Sequence, residues 1–169
     1  ISVVFFLDVG LKRSQQMFAD LNKHAVKPTK SLGLLYDHRD TYARFIVNLA
    51  KDVEVFNGRT EMERASIAAR SKNFFTLNGI ADATRYLLKL KTKSIPAEKQ
   101  KLAIEFWETV SQNMPDWQLL LDKSTKITPT ELRENYVHAY TNVLNALGIA
   151  GHVLVTQHKD WKNMLKNLR

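Results

Sequence analysis

The tetrapeptide Thr128-Pro129-Thr130-Glu131 constrains this chain more than any other local feature. The Thr can accept from the third helical amide, the fixed φ of Pro suits the first helical position, and the Glu can reach back to the cap amide. A helix must begin at this capping box. Leu132, Tyr136, Tyr140, Val143, Leu147, Ala150 and Leu154 follow at spacings of three and four, which predicts one long helix carrying a continuous apolar stripe. Gly148 and Gly151 lie about a turn apart near its end, a pattern that permits close helix contact or marks a kink.

Upstream, Ile1 to Leu7 is β-branched and aromatic without polar alternation, which predicts a buried strand ended by Asp8-Val9-Gly10. Ser14 suits the cap of a helix running to about Ala25, with Met17, Phe18 and Leu21 inward and Pro28 preventing continuation. Asp40 suits the cap of a second helix whose stripe is Tyr42, Phe45, Ile46, Leu49 and Val53. Val53 to Phe56 then alternates apolar and polar, which predicts a short half-exposed strand able to pair with the opening one. A helix beginning near Asn78 stacks Ile80, Ala83, Leu87 and Leu90 inward. Pro96 and Glu98 open another, containing Leu102, Ala103, Phe106, Trp107 and Val110 and broken at Met114-Pro115. The three tryptophans, Trp107, Trp117 and Trp161, read as core residues rather than base-stacking platforms.

β-like segments occur only before Pro96. The expected fold is therefore α+β and mostly α-helical, with a small N-terminal α/β portion (residues 1–95, including a basic segment) packed on a C-terminal helical bundle (residues 96–169). With 169 residues and 44% of them hydrophobic, the two portions have enough apolar surface to share one core as a single compact unit.

Charge narrows the partner. Lys and Arg number 25 against 17 Asp and Glu, giving a net charge of +8 and a pI of about 9.7, which favours a polyanion such as nucleic acid. The excess is concentrated: residues 64–99 hold 8 basic and 2 acidic side chains. Arg64, Arg70, Lys72, Arg85, Lys89, Lys91 and Lys93 are the candidate DNA contacts, and Lys12, Arg13, Lys27 and Lys30 form a second-choice surface. Arg85 and Lys89 share a helix face, while Arg70-Ser71-Lys72-Asn73 precedes a helix N-terminus whose free amides can receive a phosphate.

Several chemistries are excluded or lack their parts. There is no cysteine, which removes disulfides, thiolate metal sites and cysteine nucleophiles and fits a reducing cytoplasm. The apolar opening is far shorter than the roughly 20 residues needed to cross a bilayer, and no basic segment precedes it as in a signal peptide, so a soluble protein without a membrane partner is expected. An apolar run at the first residue, without an initiator Met, suggests a chain that begins inside a larger protein. No Walker loop is present, and the six glycines never form the dinucleotide pattern. His38-Arg39-Asp40 begins like the kinase catalytic loop, but Phe45 stands where that loop needs Asn, which leaves a polar turn capped by Asp40.

Among His24, His38, His138, His152 and His158, no pair has zincin spacing. Glu134 and His138, one turn apart, read as a surface ion pair. Neither Asp37 with Asp40 nor Glu61 with Glu63 has an evident acid/base partner. No catalytic residue, metal ligand or cofactor is expected.

Four stretches, taken in order, carry a family resemblance: Asp8 to Asp40 (DVGLKRSQQMFADLNKHAVKPTKSLGLLYDHRD), Val55 to Ile80, Ala103 to Leu121, and Leu132 to Gly151. Together they resemble the DndB-like family, within the wider DGQHR-domain group. The resemblance implies a bacterial DNA-binding regulator, a repressor of the gene cluster for DNA phosphorothioate (DNA sulfur) modification that acts at its promoter. It does not imply the sulfur-transfer enzyme. The Asp-Gly-Gln-His-Arg motif is absent from this chain, so no role attached to it carries over. Two other readings stand beside this one. The chain could be an interaction module, using its C-terminal stripe to form a homo-oligomer or to bind other DNA sulfur modification proteins. By analogy of fold it could belong to a ParB-like nuclease or nucleotide hydrolase whose active residues lie upstream.

Overall fold

The computed structural model describes residues 15–17, 19–20, 27–90, 94–122 and 124–168. The expected opening strand lies outside them, as do Ser14, Phe18 and Leu21 of the first expected helix. Residues 15–17 and 19–20 are helical, in line with the spacing around Met17.

Helix α1 (Lys30–Tyr36) was not legible in the apolar pattern; Thr29 caps it by accepting from the Leu32 amide. Helix α2 (Thr41–Asp52) starts where expected. The Asp40 carboxylate accepts from the amides of Tyr42 and Ala43 at 2.8 and 3.2 Å, satisfying two of the N–H groups that a helix start leaves without partners. Tyr42, Phe45, Ile46 and Leu49 are buried along one face, and Val53 is buried immediately beyond it.

Val53 to Phe56 is not a strand. The amides of Phe56 and Asn57 both donate to the Val53 carbonyl, which turns the chain and buries Val53, Val55 and Phe56 together. A strand would place residues 55 and 56 on opposite faces, so the turn removes more apolar surface from water. The strands among the described residues are instead β1 (Thr60–Glu61) and β2 (Phe75–Thr76), paired in parallel with Thr60 opposite Phe75. They close the base of the segment between them. The fold is α+β and mostly α-helical, as the sequence implies.

Helix α3 (Leu77–Leu88) follows β2 directly and ends at Lys89, a non-glycine residue in the left-handed region at φ 43°. Next come α4 (Ala97–Asn113), α5 (Pro115–Leu119) and α6 (Pro129–Asn135). The capping box at Thr128 and Glu131 is present in full.

The long helix expected after that box is broken. Tyr136 (φ −131°, ψ 134°) and Tyr140 (φ −92°, ψ 146°) are extended and flank a 3₁₀ turn at Val137–Ala139, so α7 (Thr141–Gln157) is a separate helix. The break carries Ala139 into the core and leaves Val137 73% and Tyr140 52% exposed. The buried face of α7 is therefore Leu144, Gly148 and Gly151, while Val143 and Leu147 are half-buried and Ala150 is exposed. Small residues occupy the centre because α3 packs there. A Cβ on Gly148 would overlap the carbonyl of Ala83, and one on Gly151 would overlap the Phe106 ring. Of the two roles open to these glycines, close contact is the one observed.

One core joins the two halves. A run of edge-on aromatic rings crosses it: Phe106 to Trp107 (5.1 Å), Trp107 to Phe56 (6.0 Å), Phe56 to Phe75 (6.0 Å) and Phe75 to Trp117 (5.5 Å). Both central indoles have partners for their N–H, Trp107 donating to Thr84 Oγ1 and Trp117 to His138 Nδ1. Trp161, in α8 (Trp161–Met164), is also buried, so all three tryptophans are core residues.

Alanine in place of Gly in a helix gains about 1 kcal/mol of propensity. Overlap with a backbone carbonyl costs about 1–3 kcal/mol and cannot be relieved by a rotamer change. Gly148→Ala is therefore expected to lower stability in urea denaturation. Gly33→Ala, in α1 with open space around the new methyl, is expected to raise it.

Candidate nucleic-acid interface

The segment between β1 and β2 carries Arg64, Arg70 and Lys72, and all three are exposed. Arg70 and Lys72 meet no carboxylate among the described residues. Glu61, on β1, closes the segment. Its carboxylate accepts from the amides of Glu63 (3.3 Å) and Arg64 (3.2 Å) and from Asn73 Nδ2 (2.9 Å), tying the start of the loop to its end. Partial burial pushes the Glu61 carboxyl up, but these donors and the Arg64 charge outweigh it and hold the group below its ordinary value. Glu61 thus anchors the loop.

A second clamp comes from α6. The Arg133 guanidinium donates to the carbonyls of Ala69 and Ser71, each at 3.0 Å, and to that of Asn73; the Ala68 carbonyl lies at 3.5 Å. The Thr130 hydroxyl is shared between the Ala69 and Ser71 carbonyls. A planar fork of five N–H donors can gather carbonyls from one loop in a way that an ammonium cannot. Partial burial pulls the Arg133 pKa down, opposed by Glu134, and the group stays charged. Arg133 escaped the sequence analysis because a single Arg in the last turn of a helix has no pattern to mark it.

Between this loop and the α6–α7 junction lies a groove of about 410 Å³. Ala65, Ile67, Ala69 and Tyr140 contribute apolar surface, and the buried Phe74 and Ala139 form its base.

The other candidates are placed elsewhere. Arg85 stacks 4.8 Å above the Tyr42 ring, in a cleft of about 350 Å³ that also contains Asp37, Asp40 and Asp82. Burial pushes the Tyr42 hydroxyl pKa up while Arg85 opposes the shift, and the hydroxyl donates to the Ala81 carbonyl. Lys30, from the second-choice surface, lines this same cleft. Lys27 and Lys89 are exposed, the latter at the end of α3. Lys12, Arg13, Lys91 and Lys93 lie outside the described residues.

Two local expectations are corrected. The N-terminus of α3 cannot receive a phosphate on its early amides, because Gly79 N donates to Thr76 Oγ1 and Asn78 N donates to Ser31 Oγ. Thr76, Leu77 and Gly79 are also buried. His138 pairs with Asp116 on α5 (2.9 Å), not with Glu134, because the break after α6 removes the helical register that would have joined them. An indole N–H only donates, so His138 Nδ1 must accept from Trp117, which places the imidazole proton facing Asp116 on Nε2. The polar turn at His38-Arg39 is as expected, with both of those side chains exposed.

Among the described residues, no cluster of His, Cys, Asp or Glu could hold a metal ion, and no helix is long and apolar enough to cross a membrane. These features define a mostly helical α+β protein with a doubly anchored basic loop. The chain belongs to the DndB family, described as DNA-sulfur modification-associated, whose family model matches residues 1–169. No curated protein and no solved structure matches it.

Arg133→Lys keeps the charge but loses the fork. It is expected to cost about 1–2 kcal/mol in urea denaturation and to speed amide exchange across residues 68–73. An unchanged exchange rate there counts against the clamp.

Proposed function

We propose that this DndB-family chain binds double-stranded DNA and represses the genes for DNA sulfur modification, with the loop between β1 and β2 as its phosphate-contacting surface. The observation that carries this reading is the combination of three exposed cations on one loop with the Arg133 and Glu61 anchors that hold it. A held loop loses less conformational entropy on meeting the DNA backbone than a free one. Membership of a DNA-modification family supplies the polyanion. Contacts of this kind position DNA without reading its sequence, so promoter selectivity needs further groups. No catalytic step belongs to this role.

Replacing Arg64, Arg70 and Lys72 together by Ala is expected to weaken promoter binding and to flatten its salt dependence by up to roughly 3 slope units, about one per lost phosphate contact. The same variant should release a promoter–reporter fusion from repression. Arg85→Ala should leave the slope nearly unchanged, since that charge lies among three carboxylates. Equal slopes for the triple variant and the unaltered chain remove the loop from the interface.

The outer face of α7 favours a second reading, an interaction module. Ile149 and Val153, one turn apart, are both exposed there. Light scattering is the test: a dimer that Ile149→Glu splits supports self-association through this face, and a monomer at all concentrations removes it.

A further inference from the structure

We propose that the groove between the β1–β2 loop and the α6–α7 junction takes one unpaired base of the bound DNA, stacked against Tyr140, so that the chain prefers DNA with a base out of the stack to a fully paired duplex. This rests on the DNA-binding reading above and adds a ligand chemistry to the same surface.

Charge limits what the groove can meet. Ala65, Ser66, Ile67 and Ala69 line it, and the exposed cations Arg64 and Arg70 adjoin that stretch in the chain, with Lys72 two residues further on. A ligand reaching the groove passes positive side chains, which suits a group attached to a phosphate backbone.

The lining suits a planar heterocycle. Phe74 and Ala139 lie at the base, Ala65, Ile67 and Ala69 give one apolar wall, and Tyr140, 52% exposed, offers an aromatic face. Set among these are the hydroxyls of Ser66, Tyr140 and Thr141 and the carboxylate of Glu134, none of which makes a side-chain hydrogen bond among the described residues. The other polar side chains of the lining are engaged: Arg133 and Thr130 by loop carbonyls, and Thr76 Oγ1 by the Gly79 amide. An alkyl chain lying here would bury polar groups without partners, and a bare phosphate would leave the apolar wall in water and meet the Glu134 charge. A base uses both kinds of surface. Its face stacks on the Tyr140 ring, its ring nitrogens and carbonyl oxygens accept from the hydroxyls, and each of the four bases has at least one N–H to donate to the carboxylate. In an intact duplex those faces are stacked and those edges largely paired, so the groove matches only a base that has left the stack.

Two duplexes of one sequence test this, one fully paired and one carrying a single extra adenine on one strand, with affinities measured at fixed salt on the full chain. The bulged duplex is expected to bind about tenfold tighter, equivalent to ~1.4 kcal/mol and within the range for one base stacked on an aromatic ring. Tyr140→Phe keeps the ring and should keep most of that ratio. Tyr140→Ala, outside the buried core, should bring the ratio to about one while leaving the affinity for the paired duplex as it was, which also reports that the variant is folded. Ser66→Ala combined with Glu134→Ala, both at exposed positions, removes contacts to the base edge without touching the ring and should lower the ratio about threefold. Equal affinities for the two duplexes in the unaltered chain overturn the inference and leave DNA binding standing. A ratio that survives both Tyr140→Ala and the double variant removes the groove as its source. If neither duplex binds, the inference falls together with the DNA-binding reading.

Discussion

The closeness of α3 to α7 fixes the spacing of much of the molecule. The carbonyl of Ala83 occupies the space that any side chain at position 148 would need. Both helices continue into the candidate interface: α3 is fed by β2 and the loop before it, and α7 by the junction that follows α6. This one contact therefore joins the elements that lead into the basic loop to those that follow the helix bearing Arg133. A methyl group at position 148 would act on the loop only by wedging apart the elements on which it and its clamp are mounted.

Much of the helical frame was legible because it rests on local chemistry. Asp40 and the Thr128–Glu131 box declare helix starts through side chains that reach only a few residues, and such signals survive any tertiary arrangement. The failures share a cause as well. The stripe from Leu132 to Leu154 satisfied helical spacing, but periodicity does not show that Ala139 gains more from entering the core than the helix gains from continuing through Tyr136 and Tyr140. Val53 to Phe56 looked alternating, yet its apolar residues are drawn together into one core. In both places, non-local packing overrode a local pattern.

The candidate surface was legible only as a composition. Eight basic side chains between residues 64 and 99 stand out in a sequence, but nothing there reveals that Arg85 lies over Tyr42 among carboxylates while Arg70 and Lys72 face solvent. Clustering along the chain groups charges by number, and folding regroups them by neighbour. Arg133 is the converse case, a residue outside the basic run that organises part of it through hydrogen bonds to backbone 60 to 65 positions away.

The clamp also polarises the loop it holds. In a trans peptide the carbonyl and the following N–H point in opposite directions, and no cis bond is present among the described residues. Gathering the carbonyls of Ala68, Ala69 and Ser71 onto one guanidinium therefore turns the amides of Ala69, Arg70 and Lys72 away from it. The Ser71 amide between them is returned to the Ala68 carbonyl, so the clamp orients peptide dipoles along a turn that also closes on itself. That turn stands on the same stretch of chain as the two free cations, yet it appears in no count of charged residues. The peptide dipoles of this stretch are oriented by an arginine that is itself only partly buried.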